Sequence, residues 1–272
     1  MSSPTIILDS GAFSAWSRGA AIDIDAYIAF IFANAEWIDY YINLDVIPGA
    51  FGVVPTPQQV EASAEQSWEN FLYMERHGLH PMPVFHMGER FAWLQRFVDH
   101  GCDYIGISPA NDRTTKQKRL WLDRVFTLLG DEEGRPRVKT HALGVTAVPL
   151  LIRYPWFSAD SSAWATSSGR GNVFVPRLHH GHEDFTRSPL IVYMSGRKRV
   201  QSTNEFDYRR LPASLKEYVD TFIRHAQTTP DECLVSCQAR AQVCAYFFQC
   251  FERAFVSPTT FKAGTPFLFE DQ

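Results

Sequence analysis

The chain has 272 residues, 45% of them hydrophobic and 21% charged, and its 26 basic and 30 acidic side chains leave a formal net charge of −4. A chain this long can bury roughly three quarters of its unfolded surface, and its composition excludes disordered and fibrous classes. No run approaches the ~18 to 20 apolar residues of a bilayer span, and Met1–Asp9 lacks the basic and long apolar regions of a leader. The expectation is a soluble, cytoplasmic protein with no membrane partner. Five cysteines, four of them between Cys233 and Cys250, are odd in number and unlike a secreted disulfide framework, so reduced thiols are expected.

Short apolar runs alternate with amphipathic segments along the first half. Ile6–Leu8 is a strand ending at Asp9-Ser10-Gly11, and the periodicity from Asp23 to Ala35 predicts a helix. Ile38–Leu44 is a strand ending at Asp45. Thr56, Pro57 and Gly78 then punctuate a helix with a cap, a first-turn proline and a terminal glycine. Pro83–Phe85 ends at His86, and a helix from Arg90 closes at Gly101. Tyr104–Ile107 ends at Ser108, and Thr114–Leu129 is a helix closed by Gly130. Val138–Leu143 ends at Gly144, Phe157–Ala159 ends at Asp160, and Val173–Val175 and Leu190–Tyr193 complete seven or eight candidate strands. Strands alternating with helices imply an α/β fold with a parallel sheet, and eight would close a (β/α)8 TIM-type barrel. An open doubly wound sheet is the alternative. The chain reads as one domain, with β/α units over 1–176, a polar, irregular and basic segment from Arg177, and a helical end broken near Thr228–Asp231.

Asp9, Asp45, His86, Ser108 and Asp160 each fall at the carboxyl end of an expected strand, where α/β enzymes collect their chemistry. Asp9 and Asp160 stand out because small residues follow both, leaving room for a ligand. Paired carboxylates suit glycosyl transfer, one attacking or stabilising the anomeric carbon while the other handles a proton. Either aspartate could instead simply cap a helix.

Asp9-Ser10-Gly11-Ala12-Phe13 resembles the Asp-Ser-Gly-Gly-(Phe/Tyr) motif of tRNA-guanine transglycosylases, and further motifs follow in the family's order. Asn43-Leu44-Asp45 resembles its Asp-Glu-Cys strand end, and Val84–Gly88, containing His86, stands where the family has Val-Gln-Gly. Tyr104–Ser108, with Gly106, stands at its base-binding strand. His141-Ala142-Leu143-Gly144-Val145 resembles its Leu-Met-Gly-Val-Gly signature, and Asp160 takes the place of its nucleophile. The family's zinc subdomain carries Cys-x-Cys-x-x-Cys and a later His, whereas this chain has Cys233-x3-Cys237-x6-Cys244-x5-Cys250. Cys233, Cys237 and Cys244 fall near one helix face, so core thiols and no metal are expected. In its compactness the chain is more similar to the phage-type branch, the DNA transglycosylases that exchange guanine for a 7-deazaguanine.

The resemblance implies that Asp160 attacks C1′ of a guanosine and that Asp9 takes the N9 proton of an incoming 7-deazaguanine such as preQ0, though the sequence equally permits the reverse roles. No cofactor is required. Asp45 would accept from the N1–H and amine of the base and His86 would donate to O6. Ser10, Gly11, Phe13, Gly106, Ser108, His141 and Gly144 complete the expected pocket, with Phe13, Trp16 and Met87 as candidates for stacking. Ordinary core packing would account for these aromatic and histidine positions as well.

Nucleic acid, DNA rather than tRNA, is the expected polymer. Residues 185–230 hold eight Lys/Arg, among them Arg197, Lys198, Arg199, Arg209 and Arg210, against four acids, and Arg113 and Lys116 belong to a second basic cluster. Either cluster could be an ordinary solvated face. The other readings are a tRNA-guanine transglycosylase, an N-glycosidase using water as acceptor, and a non-catalytic deazaguanine or nucleic-acid binding module. If the protein is phage-encoded, its compartment is the host cytoplasm. The sequence leaves the oligomeric state open.

Overall fold

The computed structural model describes residues 5–110, 112–196 and 206–264. The chain is a mixed α/β structure dividing into two compact units: Met1–Leu143 with Trp156–Ser158 and Thr260–Ala263, and Gly144–Pro155 with Ala159–Thr259 and Gly264 onward.

The first unit begins with β1 (Ile7–Leu8), α1 (Ala12–Ser17), α2 (Ile24–Ala33) and β2 (Tyr40–Tyr41). It continues through α3 (Pro57–Arg76), β3 (Val84–His86), α4 (Phe91–His100), β4 (Tyr104–Ser108), α5 (Thr115–Leu129) and β5 (Lys139–Ala142). Local chemistry sets the helix ends. Asp23 caps α2 by accepting from the amides of Asp25 and Ala26, and Thr56/Gln59 and Thr114/Gln117 form reciprocal capping boxes on α3 and α5. The apolar faces of α3, α4 and α5 bury Phe71, Met74, Leu94, Phe97, Leu122 and Phe126.

β1 pairs in parallel with β2, and a parallel bridge from Ile42 to Met82 continues the series toward β3. β3, β4, β5 and β6 (Ser158–Ala159) then neighbour one another in chain order, with β3–β4 and β4–β5 parallel. Six strands therefore follow sequence order without the reversal that marks a doubly wound sheet.

The second unit contains α6 (Val148–Leu151), α7 (Ala163–Gly169), β7 (Asn172–Val175), β8 (Arg177–His179), β9 (His182–Asp184), β10 (Leu190–Tyr193) and β11 (Phe206–Asp207). A single 3₁₀ turn (Tyr208–Arg210), α8 (Ala213–His225), α9 (Pro230–Val235) and α10 (Cys237–Ala254) follow. The two last expected strands exist, but β7 and β10 pair antiparallel and β11 joins β10 in parallel. The reason lies in the connection. A parallel crossover needs a dozen or more residues, usually a helix, whereas the link from β7 to β10 is occupied by the β8–β9 hairpin, turning at His180 (φ 50°) and Gly181 (φ 81°). The helical end is broken where expected, with Thr229 and Glu232 forming a capping box on α9. Cys233 and Cys244 are buried, but Cys237 is exposed, because it opens α10 directly after its cap Ser236.

Candidate functional site

Three expected site residues meet in the first unit. Ser10 Oγ donates to Asp45 Oδ1 at 3.3 Å, and His86 Nε2 donates to Asp45 Oδ2 at 2.8 Å. They come from the ends of β1, the β2 segment and β3. Asp45 is 9% exposed and Ser10 is also buried, while the His86 ring is partly open.

The placement of Asp45 is built from α3. Past the Ile42 bridge the backbone leaves the ladder, and α3 takes over its hydrogen bonds: Asn70 Nδ2 donates to Leu44 O at 2.8 Å, and Val46 N donates to Ser67 Oγ at 2.8 Å. Asn43 Nδ2 donates in turn to Ser67 O at 2.9 Å. These contacts hold a short non-ladder segment whose buried polar groups would otherwise be costly. The β1 end turns through Gly11 at φ 74°, a conformation costly for a residue with a Cβ, and Ala12 N donates to Ser10 Oγ at 3.3 Å.

A fourth member of this cluster is Glu89, which sequence reasoning missed. Its carboxylate accepts from His86 N at 3.1 Å, its own amide donates to His86 O at 3.2 Å, and it is 8% exposed. Burial, opposed by the nearby His86, pushes the Glu89 carboxyl up to about 7. At His86 burial disfavours the charged ring, but the Asp45 hydrogen bond and the charges of Asp45 and Glu89 outweigh it, and the pKa is raised. The one trace in the sequence is the acid three residues beyond His86, which reads equally well as an ordinary residue before α4.

Asp9 is exposed beside Ser10. Its charge, with that of Asp45, adds to burial in raising the pKa of Tyr27, whose hydroxyl donates to Ile42 O at 2.8 Å. Phe13, 51% exposed, and Trp16 lie on α1 with ring centroids 5.8 Å apart, and Trp16 meets the exposed Phe51 edge-on at 5.3 Å. Trp16 Nε1 donates to Gly49 O at 2.7 Å, which fixes this aromatic group against the loop after Asp45. Phe51 is a further aromatic outside the expected set.

The remaining expected residues have other surroundings. Ser108 ends β4 opposite His86, and its carbonyl accepts from Met87 N at 2.9 Å. Gly106 is packed between strands: a Cβ there would meet Leu143 Cδ1 at 3.0 Å and Val84 Cγ2 at 3.3 Å. His141, 3% exposed, hydrogen-bonds through Nδ1 to Ser158 Oγ at 2.5 Å, and Tyr104 OH shares the same oxygen at 2.5 Å. In the second unit Asp160 is exposed, and its Oδ1 accepts from Gly144 N at 3.0 Å.

Among the basic residues, Arg113 pairs with Asp112 at 3.6 Å near the start of α5, where Lys116 is exposed. Arg209 and Arg210 are exposed in the 3₁₀ turn, and Arg209 Nη2 donates to Ser195 O at 3.3 Å. Arg197, Lys198 and Arg199 lie outside the described residues. No helix among the described residues is long and apolar enough to cross a membrane.

Chemically, the first unit offers a carboxylate braced by a hydroxyl and an imidazole, a second buried carboxyl bonded to the amide of the same histidine, and the exposed rings of Phe13 and Phe51. That set can exchange hydrogen bonds with the edge of a flat polar heterocycle. In comparisons with known proteins, no family model matches the chain and no curated protein matches it.

Proposed function

We propose that the protein is a guanine-exchanging transglycosylase acting on nucleic acid, most consistent with DNA, on a (β/α)8-type barrel. The observation that carries the reading is the hydrogen-bonded convergence of Ser10, Asp45 and His86, three residues far apart in sequence that the motif order assigns to purine recognition. The sequential order of six neighbouring strands supports the barrel. Aromatic side chains at Phe13 and Trp16 suit stacking on an extruded base.

The chemistry is a double displacement. A carboxylate oxygen, assigned to Asp160, forms a bond to C1′ as the C1′–N9 bond to guanine breaks, and guanine leaves with a proton at N9 supplied by the protonated Asp9, which is left as a carboxylate. A free 7-deazaguanine base such as preQ0 then loses its N9 proton to Asp9 and attacks C1′, releasing the Asp160 ester. The roles of the two aspartates can be exchanged within the same scheme. Configuration is retained, the kinetics are ping-pong, and no cofactor enters the scheme.

Incubation of the protein with duplex DNA, single-stranded DNA or tRNA plus isotopically labelled guanine, followed by nucleoside mass spectrometry, tests this. Label in DNA is expected, and Asp160→Asn and Asp9→Asn abolish it. Label in tRNA alone overturns the choice of polymer. Base release without incorporation converts the reading to a glycosidase, and no release or incorporation with any polymer overturns it.

A further inference from the structure

Resting on that reading, we propose that Glu89 is a positioning residue that keeps His86 in its imidazolium form, so that the pocket recognises a purine carbonyl oxygen through His86 Nδ1. The hydrogen-bond pattern leads there directly. Asp45 is the acceptor facing His86 Nε2, so Nε2 carries a proton in either charge state. The other ring nitrogen, Nδ1, has no hydrogen-bond partner among the described residues, and the ring keeps a partly exposed edge. A neutral ring with its proton on Nε2 can only accept at Nδ1. O6 of guanine also only accepts, so the two repel unless His86 is doubly protonated.

Glu89 is placed to secure that second proton. It does not touch the ring nitrogens; its carboxylate is fixed to the His86 backbone through reciprocal bonds of 3.1 and 3.2 Å across the Met87-Gly88 turn. Its charge acts on the ring together with that of Asp45. The charged groups acting on His86 are Asp45, bonded to Nε2, and Glu89, bonded to the backbone amide, while Ser10 reaches the cluster through Asp45. Those acting on Glu89 are His86, Asp45 and Glu61 of α3. Glu61 is itself paired with Arg90, so its charge is largely answered outside the cluster. Where Glu89 is ionised, near and above pH 7, two carboxylates and one imidazole form a set in which a charged ring is favoured.

The consequence is selectivity between purines with and without an oxygen at C6. The experiment uses the full chain in two arms. In the first, the His86 ring is titrated by NMR in wild type and Glu89→Gln, with His86→Gln for assignment. Glu89→Gln lowers the His86 pKa, and a titration identical to wild type overturns the proposal whatever the enzyme does. In the second, free guanine and 2-aminopurine, which lacks O6, are bound across pH by calorimetry. Wild type loses about tenfold or more of its guanine affinity as His86 deprotonates, while 2-aminopurine binding stays flat. In Glu89→Gln this loss moves to lower pH.

The two arms separate failures. Should neither purine bind while the NMR titration still shifts, the base-exchange reading falls and the electrostatic role of Glu89 stands. Should guanine bind with a pH profile that Glu89→Gln leaves in place, Glu89 has no such role and the base-exchange reading survives. Glu89→Asp, which retains the charge, restores the wild-type direction of the titration; failure to do so also counts against the proposal.

Discussion

The first unit contains two buried histidine clusters of opposite character. Tyr104, His141 and Ser158 form a network of hydroxyls and one imidazole, drawn from β4, β5 and β6, with Tyr104 and His141 almost wholly buried. Ser10, Asp45, His86 and Glu89 gather two carboxylates around one imidazole at the strand ends, with the ring partly open. The first joins two hydroxyls to one imidazole and ties three strands together. The second concentrates charge where burial disfavours it, an arrangement that is poor for stability alone and suited to meeting a ligand. Hydrogen-bond partners, rather than the presence of a histidine, distinguish the framework from the candidate site.

The largest expected effect comes from Asp45→Ala. It removes the acceptor for both Ser10 and His86, leaving the imidazole without its partner, and weakens guanine binding by about tenfold or more. Loss of those buried charge-assisted bonds also lowers stability by about 2–3 kcal/mol in urea denaturation. Wild-type affinity in this variant would erase the distinction between the two clusters.

The pH dependence of stability follows next. Glu89 is raised to about 7, and His86 is raised as well. Both groups therefore hold protons more tightly in the folded chain than in the unfolded one. Stability contributed by His86 is complete below its unfolded value and fades as pH rises through its raised folded value. Ionising Glu89 against burial costs stability between the ordinary glutamate value of 4.5 and about 7. Both signs agree, so stability falls from pH 5 to pH 8. Glu89→Gln flattens that fall, which thermal unfolding at a series of pH values detects. A wild-type slope in the variant would show that Glu89 is not the titrating group.

Much of this architecture can be read from the sequence because it is written locally. Thr56-Pro57 with Gln59, and Thr114 with Gln117, carry their capping boxes in a four-residue window, and both helices begin there. Strand ends are marked by a polar residue after an apolar run, which is why Asp45 and His86 are visible as candidates. Which strand ends meet is a tertiary fact: the Asp45–His86 bond spans 41 positions and depends on Ser67 and Asn70 holding residues 44–46 past the end of the ladder. Glu89 is hidden because only a folded turn at Met87-Gly88 returns its carboxylate to the His86 amide. The β8–β9 hairpin is missed for a different reason. Its exposed strands, Arg177–His179 and His182–Asp184, have little of the apolar alternation that marks a half-buried strand.

Within the framework cluster, Ser158→Ala leaves the Tyr104 hydroxyl and His141 Nδ1 without their shared partner and destabilises by about 2 kcal/mol. Tyr104→Phe is the gentler probe. It deletes one hydroxyl but retains the ring, whose edge contacts with Tyr40 at 5.1 Å and Phe157 at 5.3 Å need no oxygen. Ser158 still has His141, so no donor or acceptor is orphaned by the change, and the cost is about 1 kcal/mol. Guanine affinity in Tyr104→Phe should equal that of wild type, because the deleted hydroxyl serves Ser158 and not the Asp45–His86 pair. A fall in guanine affinity without a matching fall in stability would mean that the buried network reaches the ligand, and the division between the two clusters would have to be redrawn.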